Sequence, residues 1–203
     1  MTTMQIVGLD PSMSNFGIAK ATLDLDTLKF TVDELIVVKT EPESDKKTRK
    51  VVRKNSEDLE RAKLLYKGAM EHTESAWMSF AEVPVGSQSS RAMASYGISL
   101  GVLAAIATKM PMIQVTPTEV KVVATNCKTA TKKEMIEAMM TKYPDAPWPM
   151  RKSKGVMVPI DGECEHLADA VAAIEAGLAT DEFRNIITIW KTSPLLKHAI
   201  RAA

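Results

Sequence analysis

The chain has 203 residues and a mass of 22.2 kDa, with 26 Lys and Arg against 25 Asp and Glu, a formal net charge of +1. That length suits one full domain, which can bury roughly 70% of its unfolded surface without help from disulfides. With 45% hydrophobic and 25% charged residues, the composition excludes a mainly disordered chain, and the bulk charge points to no partner. No apolar run approaches the ~20 residues that cross a bilayer. Met1 to Leu9 lacks the basic start and long apolar segment of a signal peptide. Cys127 and Cys164 have no companions at metal-ligand spacing and read as reduced thiols, so a cytoplasmic protein is expected.

In chain order, Met4–Leu9 predicts a short strand closed by Asp10-Pro11. Phe16–Leu23 and Lys29–Lys39 predict two more strands, joined by a hairpin turn at Asp24–Thr27. Residues 41–55 have almost no apolar content and predict a charged loop, in which Lys46, Lys47, Arg49, Lys50, Arg53 and Lys54 follow one another with no acid between them. Asn55 or Ser56 can cap the next helix, whose apolar positions are Leu59, Ala62, Leu65, Tyr66, Ala69 and Met70. Ala76–Val83 predicts a strand, and Ser89 or Ser90 caps a helix to about Lys109 that is rich in Gly, Ala and Ser. A brief strand at Met112–Val115 leads into Thr116-Pro117, a good helix start. Short helices are expected near Thr118–Ala124 and Thr131–Lys142. An irregular Pro-rich loop follows over 143–162, then a helix over Glu163–Leu178. Strands joined by turns, then alternating helix and strand, describe one α/β domain.

Three places could carry chemistry. Asp10 ends an apolar strand, and Glu82 ends another, in Phe80-Ala81-Glu82-Val83-Pro84. If those strands are neighbours, the two acids sit side by side, with ~5 Å between backbones. They would repel each other, and a divalent cation is the natural remedy. His166 and Asp169 are three apart on the last of these helices and share a face. Three carboxylates and an imidazole suit Mg²⁺ or Mn²⁺ better than structural zinc. Glu163 and Glu165 are the substitutes if the helix phase is off by one or two. A second basic region runs from Lys121 to Lys154 and includes Lys132 and Lys133. Basic blocks flanking an acidic cluster fit a polyanion held around a metal site.

Ile6-Val7-Gly8-Leu9-Asp10-Pro11-Ser12 followed by Phe16-Gly17, Ala81-Glu82-Val83, Gly97 with Gly101, Val115–Lys121 with Ala130–Lys133, and His166–Ala172 occur in an order that resembles RuvC-type Holliday-junction resolvases, of the ribonuclease H-like nuclease superfamily. The resemblance spans roughly residues 4–178 and extends to phage-type members. It implies an α/β, ribonuclease H-like mixed five-stranded sheet, three strands antiparallel and two parallel, with helices on both faces. It implies a nuclease domain over 1–180 with a helical extension over 181–203, working as a homodimer with no membrane partner. A phage-encoded member would act in its host's cytoplasm. The implied activity is a Mg²⁺-dependent endodeoxyribonuclease, with Mn²⁺ as substitute, that cleaves four-way junctions and other branched DNA. Asp10, Glu82, His166 and Asp169 are the implied catalytic and metal-binding residues, holding two ions per site.

Lys121, Lys132 and Lys133 would then meet phosphates near the cut, and Lys46, Lys47, Arg49, Lys50, Arg53 and Lys54 would grip a junction arm. Helix 89–109 is the candidate dimer contact, with packing on its own sheet as the alternative. The sequence departs from the pattern at Val85, where family members often carry an aromatic wedge, and in the length of the basic and Pro-rich loops. Two rivals are an actin-like or sugar-kinase-like ATPase, whose second Gly-rich phosphate loop is not found, and an inactive DNA-binding domain, which has no use for converging carboxylates.

Overall fold

The computed structural model describes residues 2–42 and 53–192. β1 (Thr3–Asp10), β2 (Asn15–Asp24) and β3 (Phe30–Lys39) form an antiparallel meander. β4 (Met78–Glu82) and β5 (Met112–Val115) continue it in parallel on the other side, giving the order β3-β2-β1-β4-β5. The β2–β3 turn forms as expected: the Asp24 carboxylate accepts from the backbone N–H groups of Asp26 (2.8 Å) and Thr27 (3.1 Å).

Alternation along the central strands splits the core. Val7 and Leu9 of β1, with Ala81 of β4, pack with α1 (Lys54–Thr73) and α2 (Ser90–Ala107) on one face. Ile6, Met78 and Phe80 pack on the other face with α3 (Pro117–Thr125), α4 (Lys132–Lys142), α5 (Asp161–Leu178) and α6 (Asp181–Thr192). α6 adds Phe183 and Ile187 to that core, with Phe183 edge-on to Phe80 at 5.8 Å between ring centroids. Thr116 and Thr131 start α3 and α4 with capping boxes completed by Glu119 and Glu134.

α5 lies directly on the sheet because two strand residues have no side chain. A Cβ on Gly8 would fall 1.9 Å from the Ala170 carbonyl oxygen, and one on Gly17 would fall 2.4 Å from the His166 carbonyl oxygen. These two glycines set how close His166 and Asp169 come to β1 and β2.

Several expectations need correction. The Pro-rich stretch 143–162 is not wholly irregular: β6 (Met150–Ser153) and β7 (Val156–Pro159) pair as a separate hairpin. Its two turn residues, Lys154 (φ 48°) and Gly155 (φ 86°), both have positive φ, the conformation that matches the twist of a two-residue hairpin loop. α1 begins at Lys54, so Asn55 and Ser56 lie inside its first turn instead of capping it. Its buried face is Asp58, Arg61, Leu65, Ala69 and Thr73, while Leu59 is 56% exposed. Leu65 and Ala69 are buried and Tyr66 and Met70 half-buried against the core, as expected, and Asp58 and Arg61 join that face because each is satisfied. Arg91 donates to both oxygens of Asp58 (2.6 and 2.8 Å), and Arg61 donates to the carbonyls of Met13 and Thr40 and to the hydroxyls of Ser14 and Thr40. α2 qualifies the expectation about membranes. Among the described residues it is the one helix long and apolar enough to cross a bilayer by length and composition, although Ser99, Val102, Leu103 and Ile106 are buried in the core.

Candidate active site

Asp10 is the last residue of β1 and Glu82 the last of β4, one step beyond the parallel pair Leu9–Ala81. The strands are neighbours, so the expected juxtaposition of the two acids holds. Both stand on the α5 face, where Gly17, opposite Asp10 on β2, leaves room for His166. His166 Nδ1 lies 2.6 Å from Asp10 Oδ2. Asp10, Glu82, His166 and Asp169 line one cavity of about 260 Å³, together with Ser12, Val85, Tyr96, Pro117 and Glu165. Tyr96 carries no motif that marks it in the sequence, whereas Pro117 belongs to the Val115–Lys121 segment. Glu165, a substitute on sequence grounds, belongs to the lining.

The electrostatics are those of crowded anions. Burial, then the charges of Asp10 and Asp169, push the Glu82 carboxyl up to about 8. Burial, then Asp10 and Glu165, push Asp169 up to about 7. Burial raises Asp10 as well, against the pull of its bond to His166. For His166, burial acts downward but is outweighed by the hydrogen bond to Asp10 and the nearby carboxylates, so the imidazole is raised. The Asp10–His166 pair therefore keeps its proton to higher pH than a free imidazole. Buried carboxylates held this far above their usual range are unstable as anions and call for positive charge.

That charge is partly on hand. Lys121 acts on Glu82 and Asp169 from α3, and Lys132 at the start of α4 is ion-paired with Glu165. The donor set, hard oxygens plus one imidazole, suits a divalent cation of the Mg²⁺ or Mn²⁺ type. Among the described residues no three His, Cys, Asp or Glu side chains are arranged closely enough to hold an ion as they stand.

The other cations separate into groups. Lys133 is exposed and pairs with Glu137 (3.5 Å) along α4. Lys54 pairs with Glu57 (2.6 Å) and Asp58 (3.6 Å), and Arg53 is exposed just before α1. Lys46, Lys47, Arg49 and Lys50 lie outside the described residues. The chain flanking them does lie at the site end of the sheet. β3 ends at Lys39 opposite Asn15, and Thr40 N–H donates to Ser14 O (3.0 Å), four residues beyond Asp10.

A mixed five-stranded sheet in the order β3-β2-β1-β4-β5 with helices on both faces is the ribonuclease H-like fold. Within that class the chain is similar to RuvC of Thermus thermophilus. One structure aligns at TM-score 0.58 and 22% identity over 87% of this chain and 95% of that one. Another, in complex with Holliday junction substrate, aligns at 0.57 and 19% over 87% and 94%. The yeast mitochondrial Holliday junction resolvase aligns at 0.54 and 12% over 91% and 85%. No protein-family model and no curated sequence matches the chain.

Proposed function

We propose that this protein is a divalent-metal-dependent, structure-selective endodeoxyribonuclease that cleaves four-way DNA junctions. One observation carries the reading: carboxylates from β1, β4 and α5 converge on a cavity in which burial and their own repulsion hold Glu82 and Asp169 well above the ordinary carboxylate range. A pure binding module would gain nothing from that cost. The matching fold of structures described as Holliday junction resolvases supports the choice of substrate.

Asp10, Glu82 and Asp169 would hold Mg²⁺, or Mn²⁺ in its place, two ions per site, with His166 as further ligand or orienting group. Bound there, the metal supplies Lewis acidity and a water of lowered pKa. The protein's own residues do the rest. His166 Nδ1 and Asp10 Oδ2 share a hydrogen bond of 2.6 Å, which fixes the ring and the carboxylate together. Lys121 and Lys132 stand beside the carboxylates, where a phosphate would arrive, and Lys132 can exchange Glu165 for it. Lys133, Arg53, Lys54 and the cations at 46, 47, 49 and 50 extend the positive surface for DNA arms, setting affinity without reading sequence.

The protein is proposed to work as a homodimer, since a two-fold pair of sites matches the two related strands of a junction. α2 supports this. Met93, Leu100 and the glycines at 97 and 101 are exposed, and a Cβ on either glycine would meet nothing within 4 Å, so these glycines do not serve packing on the chain's own sheet. Beside them Leu59, Ala62, Tyr66 and Ile98 line an apolar groove between α1 and α2.

The test is cleavage of labelled four-way, three-way, flap and linear DNAs with Mg²⁺, Mn²⁺ or Ca²⁺. Mg²⁺-dependent nicking of the four-way junction, with linear duplex at least ~10-fold slower, supports the reading. Equal cutting of linear DNA, or nucleotide hydrolysis without DNA cutting, refutes it.

A further inference from the structure

The β6–β7 hairpin has no role in the site described above, and it sits beside it. Its base is fixed to the first turn of α5, the helix that carries His166 and Asp169. The Ile160 N–H donates to the Pro149 carbonyl (3.0 Å), and Cys164 Sγ donates to the same oxygen (3.4 Å). Trp148 is buried just before the ribbon and donates from Nε1 to the Tyr143 carbonyl (2.9 Å). From that anchor the strands run out into solvent, and every residue from Met150 to Met157 is exposed.

The charge of this segment is one-sided. Between Asp145 and Asp161 the chain carries Arg151, Lys152 and Lys154 and no acid. Elsewhere exposed cations are commonly neutralised, as in Lys39–Glu163, Lys63–Glu60 and Lys142–Glu175. Among the described residues, the side chains of Arg151, Lys152 and Lys154 have no ion-pair or hydrogen-bond partner. In the antiparallel register Arg151 opposes Val158 and Lys152 opposes Met157, so neighbouring cations point to opposite faces, with Lys154 at the tip. Lysine on an exposed edge also deters strand pairing with other chains. That purpose does not account for Val156 and Met157, left 64% and 56% exposed beside the tip.

We propose that this ribbon is a second DNA-binding element, gripping the backbone of a duplex arm that leaves the cleft. This rests on the reading of the cleft as a junction nuclease. Four residues per strand give a reach of ~13 Å, and two strands ~5 Å apart are narrow enough for the major groove of B-DNA, which is ~12 Å wide. The anchor points Ile160 and Cys164 lie six and two residues before His166, at most ~9 Å along the helix axis, so an arm whose scissile phosphate sits in the cleft passes within the ribbon's reach. Arg151, Lys152 and Lys154 meet phosphates, while Val156 and Met157 lie against sugars and base edges.

The test compares the parent with Arg151→Ala/Lys152→Ala/Lys154→Ala. A control, Lys29→Ala/Lys67→Ala/Lys109→Ala, removes the same charge outside the ribbon. Binding to a four-way junction is measured by anisotropy across a salt series with Ca²⁺ in place of Mg²⁺, and cutting is measured separately with Mg²⁺. The ribbon variant is expected to bind with a log–log salt slope shallower by about 2 to 3, at ~0.9 for each phosphate no longer neutralised, and the control with the parent's slope. Unchanged melting shows that the ribbon variant is folded. A parental slope in the ribbon variant, or equally shallow slopes in both variants, overturns the proposal and leaves the nuclease reading intact if the parent cuts junctions. A parent that binds through the ribbon but never cuts overturns the nuclease reading and keeps the ribbon. A parent that binds no DNA overturns both.

Discussion

The two faces of the sheet use glycine for opposite ends. On the α5 face, Gly8 and Gly17 are filled to the limit: the helix backbone occupies the space that a Cβ would need. On the α1–α2 face, Gly97 and Gly101 look onto open space, beside exposed Met93 and Leu100. The first pair fixes distances inside the molecule, and those distances bring His166 and Asp169 to Asp10 and Glu82. The second pair fixes nothing within the protomer, which is what a surface kept for another chain requires. Internal precision sits on the face of the candidate site, and adaptability on the face proposed for assembly.

This contrast can be broken by substitution. Gly8→Ala should be the most damaging, costing about 3 kcal/mol or more because α5 must lift off β1, and junction cutting should fall with it. Thermal melting and cutting measured together check this. An Ala at position 8 that leaves both unchanged would mean that α5 does not need its close seat. Leu100→Glu should leave melting within ~0.5 kcal/mol of the parent. It should shift sedimentation toward a smaller species, and a parent that already sediments as a monomer would contradict the assignment of α2.

A smaller effect should appear in the pH dependence of stability without metal. Glu82 and Asp169 have folded pKa values of about 8 and about 7, above their ordinary values of 4.5 and 3.8. A raised carboxyl favours the folded state below its unfolded pKa, and that contribution is lost as pH rises through the folded value. The metal-free protein should therefore melt lower at pH 9 than at pH 5.5, and Glu82→Gln should flatten the difference. Equal melting of the parent at both pH values would show that the carboxylates are not crowded. Smallest of all, Gly97→Ala should keep the fold and add up to ~1 kcal/mol through helix propensity, read as a slightly raised melting temperature. A destabilisation the size of that from Gly8→Ala would erase the distinction between the faces.

Much of this layout was legible in the sequence. Apolar strands that end in an acid placed Asp10 and Glu82, and the three-residue spacing of His166 and Asp169 placed them on one helix face. What escaped has physical reasons. Asp58 and Arg61 look like solvent-facing residues until Arg91, which lies 33 residues from Asp58, is seen to neutralise the acid, and the carbonyls of Met13 in the β1–β2 turn and Thr40 after β3 are seen to satisfy Arg61. The bond between Asp10 and His166 joins residues 156 apart and has no local signature. The β6–β7 hairpin hid among prolines because its strands are only four residues long. The Lys-Gly pair at its turn was the one available sign.

The central claim, that the carboxylates at the ends of β1 and β4 and on α5 work together on a phosphodiester, is tested most directly by single-turnover cutting of a four-way junction with Mg²⁺, comparing the parent with Asp10→Asn and Asp169→Asn. Each variant keeps shape while removing a charge. Each should cut at least ~10²-fold more slowly, a loss of about 2.7 kcal/mol of transition-state stabilisation. Junction binding should be kept or tightened, since an anion near phosphate is gone. Cutting at parental rates by both variants, with junction binding intact, would contradict the assignment of this cleft as the active site.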